Sequence, residues 1–322
     1  MRVVRVERFG GPEELVVREV PDPVAGAGEV VIGVSAADTL FVETQIRSGY
    51  AKDWFQVEAP YVPGSGVGGR VLGVGEGVDA SWTGRDVVAR AVGGGYAEQV
   101  VVPVEALIPV PEGLGTRQAV ALLADGVTGL SVFDAAEVKP GEWVLVTAAA
   151  GGMGILLVQL AHAAGARVAA AARGERKLAL AREQGADLAV DYTEPGWDER
   201  VAEVTGGKGP DVVFDGAGGD IGRAAYEITA QGGRFSAHGA STGGFTPIDP
   251  DDAGRRGISV RGLRNVQLSA AERKRLTERA LSEAAAGRIR PVIGRTFPLD
   301  RAADAHAAIE SREVLGKALL LI

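Results

Sequence analysis

The stretch Trp143-Val-Leu-Val-Thr-Ala-Ala-Ala-Gly-Gly-Met-Gly154 decides the fold that we predict for this 322-residue chain. An apolar run ends in a glycine turn, and the segment that follows to Ala164 has the composition of a helix. A strand, a glycine turn and a helix in this order favour dinucleotide binding, because free turn amides and the positive end of the helix dipole attract phosphate. We expect Gly151 to let the backbone approach a pyrophosphate and Gly154 to let the helix pack close to the strand.

Composition and charge exclude several other classes of protein. The chain has 34 basic and 42 acidic side chains, a net charge of −8 and no basic stripe, so we expect no nucleic-acid partner. Because there is no cysteine, disulfides, thiolate metal sites and cysteine nucleophiles are excluded. The charged residues near Met1 argue against a signal peptide, and glycines interrupt the uncharged run from Trp143 to Ala166. We therefore predict a cytoplasmic protein that does not enter a membrane.

The chain divides into two regions with different patterns of apolar and polar residues. Residues 1 to about 110 alternate apolar and polar side chains between glycine turns, which predicts the short strands of a β-barrel. From about residue 117, apolar runs alternate with helical stretches, which is typical of a doubly wound α/β domain with a parallel sheet. The predicted strands of this second region are 143–148, 167–172, 188–191, 211–217, 234–239 and 258–262. Ser269 and Glu272 then predict a capped helix that ends at Gly287.

The end of the second of these strands indicates which dinucleotide binds. An NAD site wants Asp or Glu about 20 residues after the glycine turn, to hold the ribose 2′-hydroxyl. Here the strand ends in Arg173-Gly174, and Lys177 follows one helical turn later. Two cations therefore stand where a 2′-phosphate would lie, and NADPH is favoured over NADH.

Taken together, several short motifs resemble the zinc-free quinone oxidoreductase branch of the medium-chain dehydrogenase/reductase superfamily. They are Phe9-Gly-Gly-Pro-Glu13, Ile46-Arg-Ser-Gly49, Pro60-Tyr-Val-Pro-Gly64, Val74-Gly-x-Gly-Val78, Gly94-Gly-Tyr-Ala-Glu98, the turn at 148–154, Gly185-Ala-Asp187, Glu310-Ser-Arg312 and Gly316-Lys317. The resemblance implies a GroES-like β-barrel catalytic domain at residues 1–120 and 265–322. It also implies a Rossmann NADP-binding domain at residues 121–264, and a homodimer that forms through the strand near 258–262.

The resemblance also implies a set of cofactor-binding residues. These are Thr128 on the nicotinamide side, Ala149, Gly151, Gly152 and Met153 at the pyrophosphate, Arg173, Gly174, Lys177 and Tyr192 at the 2′-phosphate, and His238, Gly239, Ser241 and Lys317 along the remainder of the cofactor. Ala149 replaces the first glycine of the usual G-x-G-x-x-G pattern. For Tyr192, simple packing at a strand end remains an alternative to cofactor contact.

Zinc-dependent relatives carry Cys, His and acidic ligands that this sequence does not match. The corresponding stretches here are Ala36-Ala-Asp38, Gly64-Ser-Gly66 and Leu123-Ala-Asp125. They offer at best two carboxylates and no imidazole, whereas zinc requires three or four ligands. We therefore expect no metal site.

The substrate cleft implied by the resemblance departs from the family pattern. Leu40 and Glu43 stand where an Asn and then an Asp are usual, and Gly66 stands where an acid is common. Tyr50 could present its phenol to a reacting carbonyl as a hydrogen-bond or proton donor, or could equally be a packed ring.

The three histidines differ in what their positions predict. His238 lies beside the predicted nicotinamide and is a candidate for polarising a carbonyl. For His162 we expect a packed or capped ring in the helix after the glycine turn. For His306 we expect a solvated or dimer-side position on a late helix.

The sequence therefore predicts an NADPH-dependent oxidoreductase that passes hydride to a quinone or another electron-poor C=C acceptor, a small molecule, without zinc. One alternative is an enoyl-thioester or enone reductase of a biosynthetic pathway, which shares the hydride chemistry. The other is an NADPH-binding protein with little catalysis, because a fold does not fix a function.

Overall fold

The computed structural model describes residues 1–91, 94–262 and 268–322. They form two compact units: the first combines Met1–Ala124 with Thr277–Ile322, and the second is Asp125–Leu276. The predicted domain boundary at residues 264 and 265 lies outside the described residues.

The bounds of the strands and helices follow the sequence patterns closely in the second unit. The strands of the described residues are β1 (Arg2–Val6), β2 (Leu15–Glu19), β3 (Glu29–Asp38), β4 (Gly66–Val74), β5 (Asp86–Arg90), β6 (Gln99–Pro103), β7 (Ile108–Pro109), β8 (Trp143–Thr147), β9 (Arg167–Ala172), β10 (Leu188–Asp191), β11 (Val212–Asp215), β12 (Arg234–Ala237), β13 (Ser259–Gly262), β14 (Ile293–Pro298) and β15 (Lys317–Leu321). The helices are α1 (Phe41–Arg47), α2 (Lys52–Phe55), α3 (Thr116–Ala136), α4 (Gly152–Ala163), α5 (Glu175–Glu183), α6 (Trp197–Val204), α7 (Gly219–Glu227), α8 (Pro250–Arg256), α9 (Ala270–Ala285) and α10 (Ala302–Glu310).

A parallel six-stranded sheet forms the centre of the second unit. Its strand order is β10-β9-β8-β11-β12-β13, and each neighbouring pair is parallel. The chain runs outward in one direction from β8 to β10 and then returns to build β11 to β13 on the other side. The order reverses between β8 and β11, and this is the place where doubly wound sheets bind their ligands. The predicted α/β class and Rossmann topology are confirmed.

Apolar side chains fill both faces of this sheet. Val144, Val146 and Phe214 lie in a cluster on one face, and Leu145 and Phe235 lie in a cluster on the other. Both faces are covered by helices, so the strands read as nearly continuous apolar runs. Helix α3 is long and apolar enough to cross a membrane by composition alone, but 61% of its most apolar 18-residue window is buried inside the protein.

The first unit is built around a mostly antiparallel sheet. Its strand order is β14-β15-β3-β4-β5-β7, with β6 also paired to β3, and β1 and β2 form a separate antiparallel pair. Only β14 and β15 are parallel within that sheet. The GroES-like character predicted for this part of the chain is confirmed, and β15 from the end of the sequence pairs directly with β3 from its beginning.

Four glycines of the stretch from Gly64 to Val78 belong to the bulged strand β4: Gly66, Gly68, Gly69 and Gly73. Strand β4 shifts register twice against β3. At Gly69 a Cβ atom would lie 1.9 Å from the carbonyl oxygen of Gly33, so only glycine lets the two strands approach this closely. These glycines therefore allow close pairing of β3 and β4, and the stretch is not a phosphate-binding loop.

Candidate functional site

The turn after β8 has the geometry that a pyrophosphate requires. Ala148 has a φ of 51°, a left-handed conformation that is costly for a residue with a Cβ atom, and Gly151 N–H donates to its carbonyl oxygen at 3.0 Å. A Cβ atom at Gly154 would lie 2.5 Å from that same oxygen and 2.9 Å from Cα of Ala149. The first amides of α4 have no partner within the helix and are therefore available to an anion. Ala149 is buried beneath the turn, and Gly152 and Met153 are partly exposed.

The residues predicted at the 2′-phosphate come together at the ends of β9 and β10. Arg173 is exposed, and Lys177 and Tyr192 are half-buried. Gly174 has a φ of 82°, and its amide donates to the Asp191 carboxylate at 2.7 Å. This hydrogen bond holds the backbone between Arg173 and α5, and a Cβ atom at Gly174 would meet nothing within 4 Å. The two cations thus lie at the carboxyl edge of the sheet, beside open space.

Asp215 joins the strands on either side of the point where the sheet order reverses. Thr147 at the end of β8 donates from its hydroxyl to Asp215 Oδ1 at 2.7 Å, and Gly218 N–H donates to the same oxygen at 3.0 Å. Thr246 donates to Asp215 Oδ2 at 2.7 Å. The carboxylate therefore fixes β8, the turn after β11 and the loop at residue 246 in one arrangement. Asp215 was not among the predicted site residues, although a polar residue at the end of a buried strand is a usable signal.

His238 lies in the loop after β12 and is almost fully buried. Its Nδ1 is 3.2 Å from the hydroxyl of Ser236. Burial lowers the pKa of its imidazole to about 4, although the Asp215 carboxylate opposes this effect. The ring is therefore neutral at physiological pH and can donate a hydrogen bond but cannot act as a strong acid.

The remaining predicted cofactor residues of this unit lie in the loop after β12 and on α3. Ser241 follows Gly239 in the same loop and donates from its hydroxyl to the carbonyl oxygen of Gly216 at 3.3 Å. Thr128 is half-buried on α3. His162, for which we expected a packed or capped ring, is exposed near the end of α4, because the buried face of that helix comprises residues 154–158 and 161. The ring therefore does not pack into the core, although it lies against Gly185, where a Cβ atom would be 2.7 Å from its Cγ.

In the first unit, the predicted cofactor residue Lys317 belongs to a buried pair of charges. Lys317 Nζ lies 2.6 Å from Asp38 Oδ1, and both side chains are at most 5% exposed. Leu319 on β15 is opposite Asp38 on β3, so Lys317, two residues earlier, points to the same face. Leu40 N–H donates to the carboxylate of Glu43 at 3.0 Å. The predicted cofactor contact of Lys317 remains a prediction, since in this structure its ammonium pairs with Asp38.

Glu43 also belongs to a hydrogen-bonded chain that the sequence did not reveal. The hydroxyl of Tyr96 lies 2.8 Å from Glu43 Oε2 and 3.0 Å from Nε2 of His306. His306 is completely buried, so the expected solvated or dimer-side position was wrong. The alanines around it on α10 form the side that packs into the core, and the ring lies edge-on to Tyr96. The signal for Tyr96 was its place in the Gly94–Glu98 motif.

Tyr50, the other residue predicted in the substrate cleft, has a different environment. Its side chain is 74% exposed, so the alternative of a packed ring is wrong. Trp54 and Phe55 of the neighbouring α2 are exposed as well. The phenol is therefore accessible to a small molecule.

The described residues contain no group of three or more His, Asp or Glu side chains that could hold a metal ion. The Asp38 charge acts on Glu43 and raises its pKa, and Lys317 pairs with Asp38.

Comparisons with known proteins agree with this architecture. Residues 26–112 match the alcohol dehydrogenase GroES-like domain model, and residues 152–283 match the zinc-binding dehydrogenase model. The quinone oxidoreductase of Rattus norvegicus is 33% identical, with 100% of this chain and 98% of that protein covered. The 2-haloacrylate reductase of a Burkholderia species is 32% identical, with 98% and 97% covered. A mycobacterial structure in complex with NADPH has a TM-score of 0.90 and 32% identity, with both chains fully covered.

This chain belongs to the quinone oxidoreductase branch of the medium-chain dehydrogenase/reductase superfamily. As a member of that branch it is an oxidoreductase.

Proposed function

We propose that this protein is an NADPH-dependent reductase that transfers hydride to a quinone or another electron-poor C=C acceptor, without zinc. The observation that carries the cofactor assignment is the pair Arg173 and Lys177 at the carboxyl edge of the Rossmann sheet, where an NAD site would have an acid. The NADPH bound to the mycobacterial relative supports it. The names of the two curated relatives support the acceptor class.

The residues around the turn after β8 suit this cofactor. The amides of Gly152 and Met153 would hold the pyrophosphate, since that of Gly151 donates to Ala148, and the close approach at Gly154 leaves no side chain in its way. Arg173 would hold the 2′-phosphate by charge-assisted hydrogen bonds, with Lys177 adding a second charge. When bound, NADPH supplies the hydride.

Each unit offers one candidate hydrogen-bond donor for a reacting carbonyl: the Tyr50 phenol in the first unit and the neutral His238 imidazole in the second. The exposure of the Tyr50 phenol supports the first role, and the burial of His238 without positive charge supports the second. Neither group needs to be a strong acid, because a quinone or enone that has accepted hydride takes up its proton readily. Positioning of the acceptor carries most of the rate enhancement.

Oxidation of NADPH measured over a panel of quinones, enones and enoyl-thioesters tests this function. We expect turnover with quinones or small enones, and NADPH to be preferred over NADH. Turnover with enoyl-thioesters alone would identify the biosynthetic alternative. Absence of turnover with every acceptor, together with retained NADPH binding, would identify a binding protein.

Within the proposed acceptor class, one observation favours a small molecule with an electron-poor C=C bond over a quinone. The Burkholderia relative is named for a haloacrylate, which is a small molecule with an electron-poor C=C bond. Leu40 presents an apolar side chain where the family has an amide, which suits an acceptor of low polarity.

We also propose that two copies associate through β13. This strand lies at one end of the six-stranded sheet, its side chains are largely exposed, and Val260 is 38% exposed. A second copy of the strand could extend the sheet. Light scattering of the native protein and of a Val260→Lys variant measures this: a dimer that becomes a monomer is expected.

A further inference from the structure

The hydrogen-bonded chain of Glu43, Tyr96 and His306 can be satisfied by more than one arrangement of its protons. The three side chains come from α1, the loop before β6 and α10, and they are 7%, 0% and 0% exposed. Tyr96 has one hydroxyl hydrogen but two partners, at 2.8 and 3.0 Å. Its neighbours must therefore decide which one receives that hydrogen.

Two arrangements satisfy the chain. In the first, Glu43 is ionised, Tyr96 donates to it, and Nε2–H of His306 donates to the Tyr96 oxygen. In the second, Glu43 is protonated and donates to the Tyr96 oxygen, and Tyr96 donates to a bare Nε2 of His306, whose proton is then on Nδ1. The two differ by a single proton, and the imidazole is neutral in both.

Proton uptake at one end converts the first arrangement into the second. A proton arrives at Nδ1 of His306, Nε2–H passes its proton to the Tyr96 oxygen, and the Tyr96 hydroxyl passes its proton to Glu43. No charge remains on the ring or the phenol. Nδ1 of His306 is buried and has no hydrogen-bond partner among the described residues, so this end of the chain exchanges a proton with water only when the protein opens locally.

We propose that Glu43, Tyr96 and His306 form a one-proton relay, in which Glu43 stores a proton that enters and leaves at Nδ1 of His306. Resting on the proposed function, the stored proton is the one that each reduction consumes along with hydride. In that direction the Glu43 proton passes to the Tyr96 oxygen, the Tyr96 proton passes to Nε2 of His306, and the Nδ1 proton leaves to water that reaches His306 during local opening.

The surroundings of the relay set which of its groups titrates. Burial raises the pKa of the Glu43 carboxyl to about 7 and the Asp38 charge adds to the rise, while the Leu40 amide, the Tyr96 hydroxyl and Lys317 oppose it. Burial, helped by the Arg47 charge, lowers the pKa of His306 to about 3. Burial and Glu43 raise the pKa of Tyr96 well above its usual value. Only the carboxyl therefore changes its charge near neutrality.

Two further groups face the relay from the elements around it. Arg47 on α1 is itself buried and paired with Glu310 on α10, and its guanidinium also donates to the carbonyl oxygen of Gly10 at 3.1 Å. The hydroxyl of Tyr61 is buried, and Glu43 raises its pKa in addition to the larger effect of burial. Tyr61 therefore stays neutral near pH 7, because its pKa is about 12.

The test is to follow the tautomer of His306 by nitrogen NMR of ¹⁵N-histidine-labelled protein between pH 5.5 and 8.5. With only three histidines in the chain, single substitutions assign each signal. We expect His306 to carry its proton on Nδ1 below pH 7 and on Nε2 above it, without becoming cationic. His238 in the same sample serves as the internal control and should keep one tautomer.

Two variants separate a relay from a purely structural contact. Glu43→Gln keeps the volume, accepts from Leu40 and donates to Tyr96, so it should fix His306 on Nδ1 at every pH. Tyr96→Phe keeps the ring and interrupts the chain, so the His306 tautomer should no longer depend on pH. A His306 tautomer that is the same at both ends of the pH range in the native protein, or that switches equally in Glu43→Gln, overturns the proposal.

Steady-state kinetics then connect the relay to turnover. We expect the pH–rate profile of the native protein to show a break near pH 7. Glu43→Gln should lower turnover by about tenfold to a hundredfold without changing the NADPH affinity, and its pH–rate profile should lack that break. A tautomer switch without turnover on any acceptor would refute the proposed function and leave the relay standing. Turnover with an unchanged pH break in Glu43→Gln would refute the role of the relay in reduction.

Discussion

The two units of this protein build their polar sites in opposite ways. In the Rossmann unit, the candidate cofactor site consists mainly of backbone amides and exposed cations at the ends of strands, within short stretches of sequence. In the first unit, the polar groups are buried side chains from three elements, and Glu43 is 263 residues from His306 (306 − 43). A site made of local backbone can be recognised in a sequence, whereas a site made of distant side chains requires the fold.

We expect the largest effect from adding one methyl group to the backbone turn of the Rossmann unit. In Gly154→Ala the new Cβ would meet backbone atoms at 2.5 and 2.9 Å, and backbone cannot move aside as a flexible side chain can. We expect NADPH affinity to fall by about a hundredfold or more, measured by fluorescence titration.

Gly254→Ala is the matched control for this change. Gly254 also lies in a helix, α8, but a Cβ atom there would meet nothing within 4 Å. This variant should bind NADPH normally and be about 0.5–1 kcal/mol more stable. Equal effects of the two substitutions would mean that the turn does not depend on close packing.

The next largest effect should come from the exposed part of the first unit. Tyr50→Phe removes the phenol and leaves the ring, so turnover should fall by up to about a hundredfold while NADPH affinity stays the same. Initial rates with the preferred acceptor measure this. Unchanged rates would remove Tyr50 from the chemistry and leave His238 as the remaining donor.

In the first unit, the buried carboxyl of Glu43 should make the free energy of unfolding depend on pH. The pKa of Glu43 is about 7 in the folded protein and near 4.5 in the unfolded chain. Folded protein therefore holds more protons between these values, and stability decreases as pH rises from 4.5 to 7, by roughly 1–3 kcal/mol. Urea unfolding at pH 5 and pH 8 measures the change.

Glu43→Gln should remove this contribution from the pH dependence of the free energy of unfolding. Glu58→Gln, at an exposed site, is the control and should follow the native protein. If the difference between native and Glu43→Gln is constant across the pH range, the carboxyl does not titrate near neutrality.

A smaller effect is expected at the rim of the Rossmann unit, where solvent screens the charges. Arg173→Ala should weaken NADPH binding by about tenfold to a hundredfold and leave NADH binding unchanged, because only NADPH carries the phosphate. Lys177→Ala should do the same more mildly. Arg182→Ala is the control, since Arg182 lies further along α5 and pairs with Glu175 at 2.6 Å. Native protein that binds both cofactors equally would contradict the assignment.

The smallest expected effect is none at all. Prolonged dialysis against a chelator should leave the rate of NADPH oxidation unchanged, and metal analysis should find no stoichiometric zinc. Activity that is lost on chelation and restored by zinc alone would contradict zinc independence.

The order of strands and helices in the Rossmann unit was predictable because its signals are local. The apolar run from Trp143 and the glycines after it define β8 and α4 within one residue of the predicted ends. The capping box at Ser269 forms, with the Ser269 amide donating to Glu272 at 2.9 Å. In each case residues close in sequence make the interaction that the pattern implies.

Helix α1 and the relay were not predictable from such patterns. Glu43, Thr44 and Arg47 are the buried residues of α1, so its polar side faces inward and the usual apolar stripe is missing. His306 lies among alanines, which reveal neither a buried nor an exposed side. A buried carboxyl becomes recognisable only when its distant partner is known, and that information is in the fold.

The pairing of β15 with β3 has a consequence for how the chain is made. Synthesis proceeds from residue 1, so Asp38 is translated long before Lys317, the cation that neutralises it. Until then β3 has β4 and β6 as partners but not β15, and the Asp38 carboxylate lacks its buried partner, while all six strands of the Rossmann sheet have already been made. The order of translation therefore favours a nascent chain in which the inserted unit folds first and the segment before it waits for the last 46 residues, 277–322.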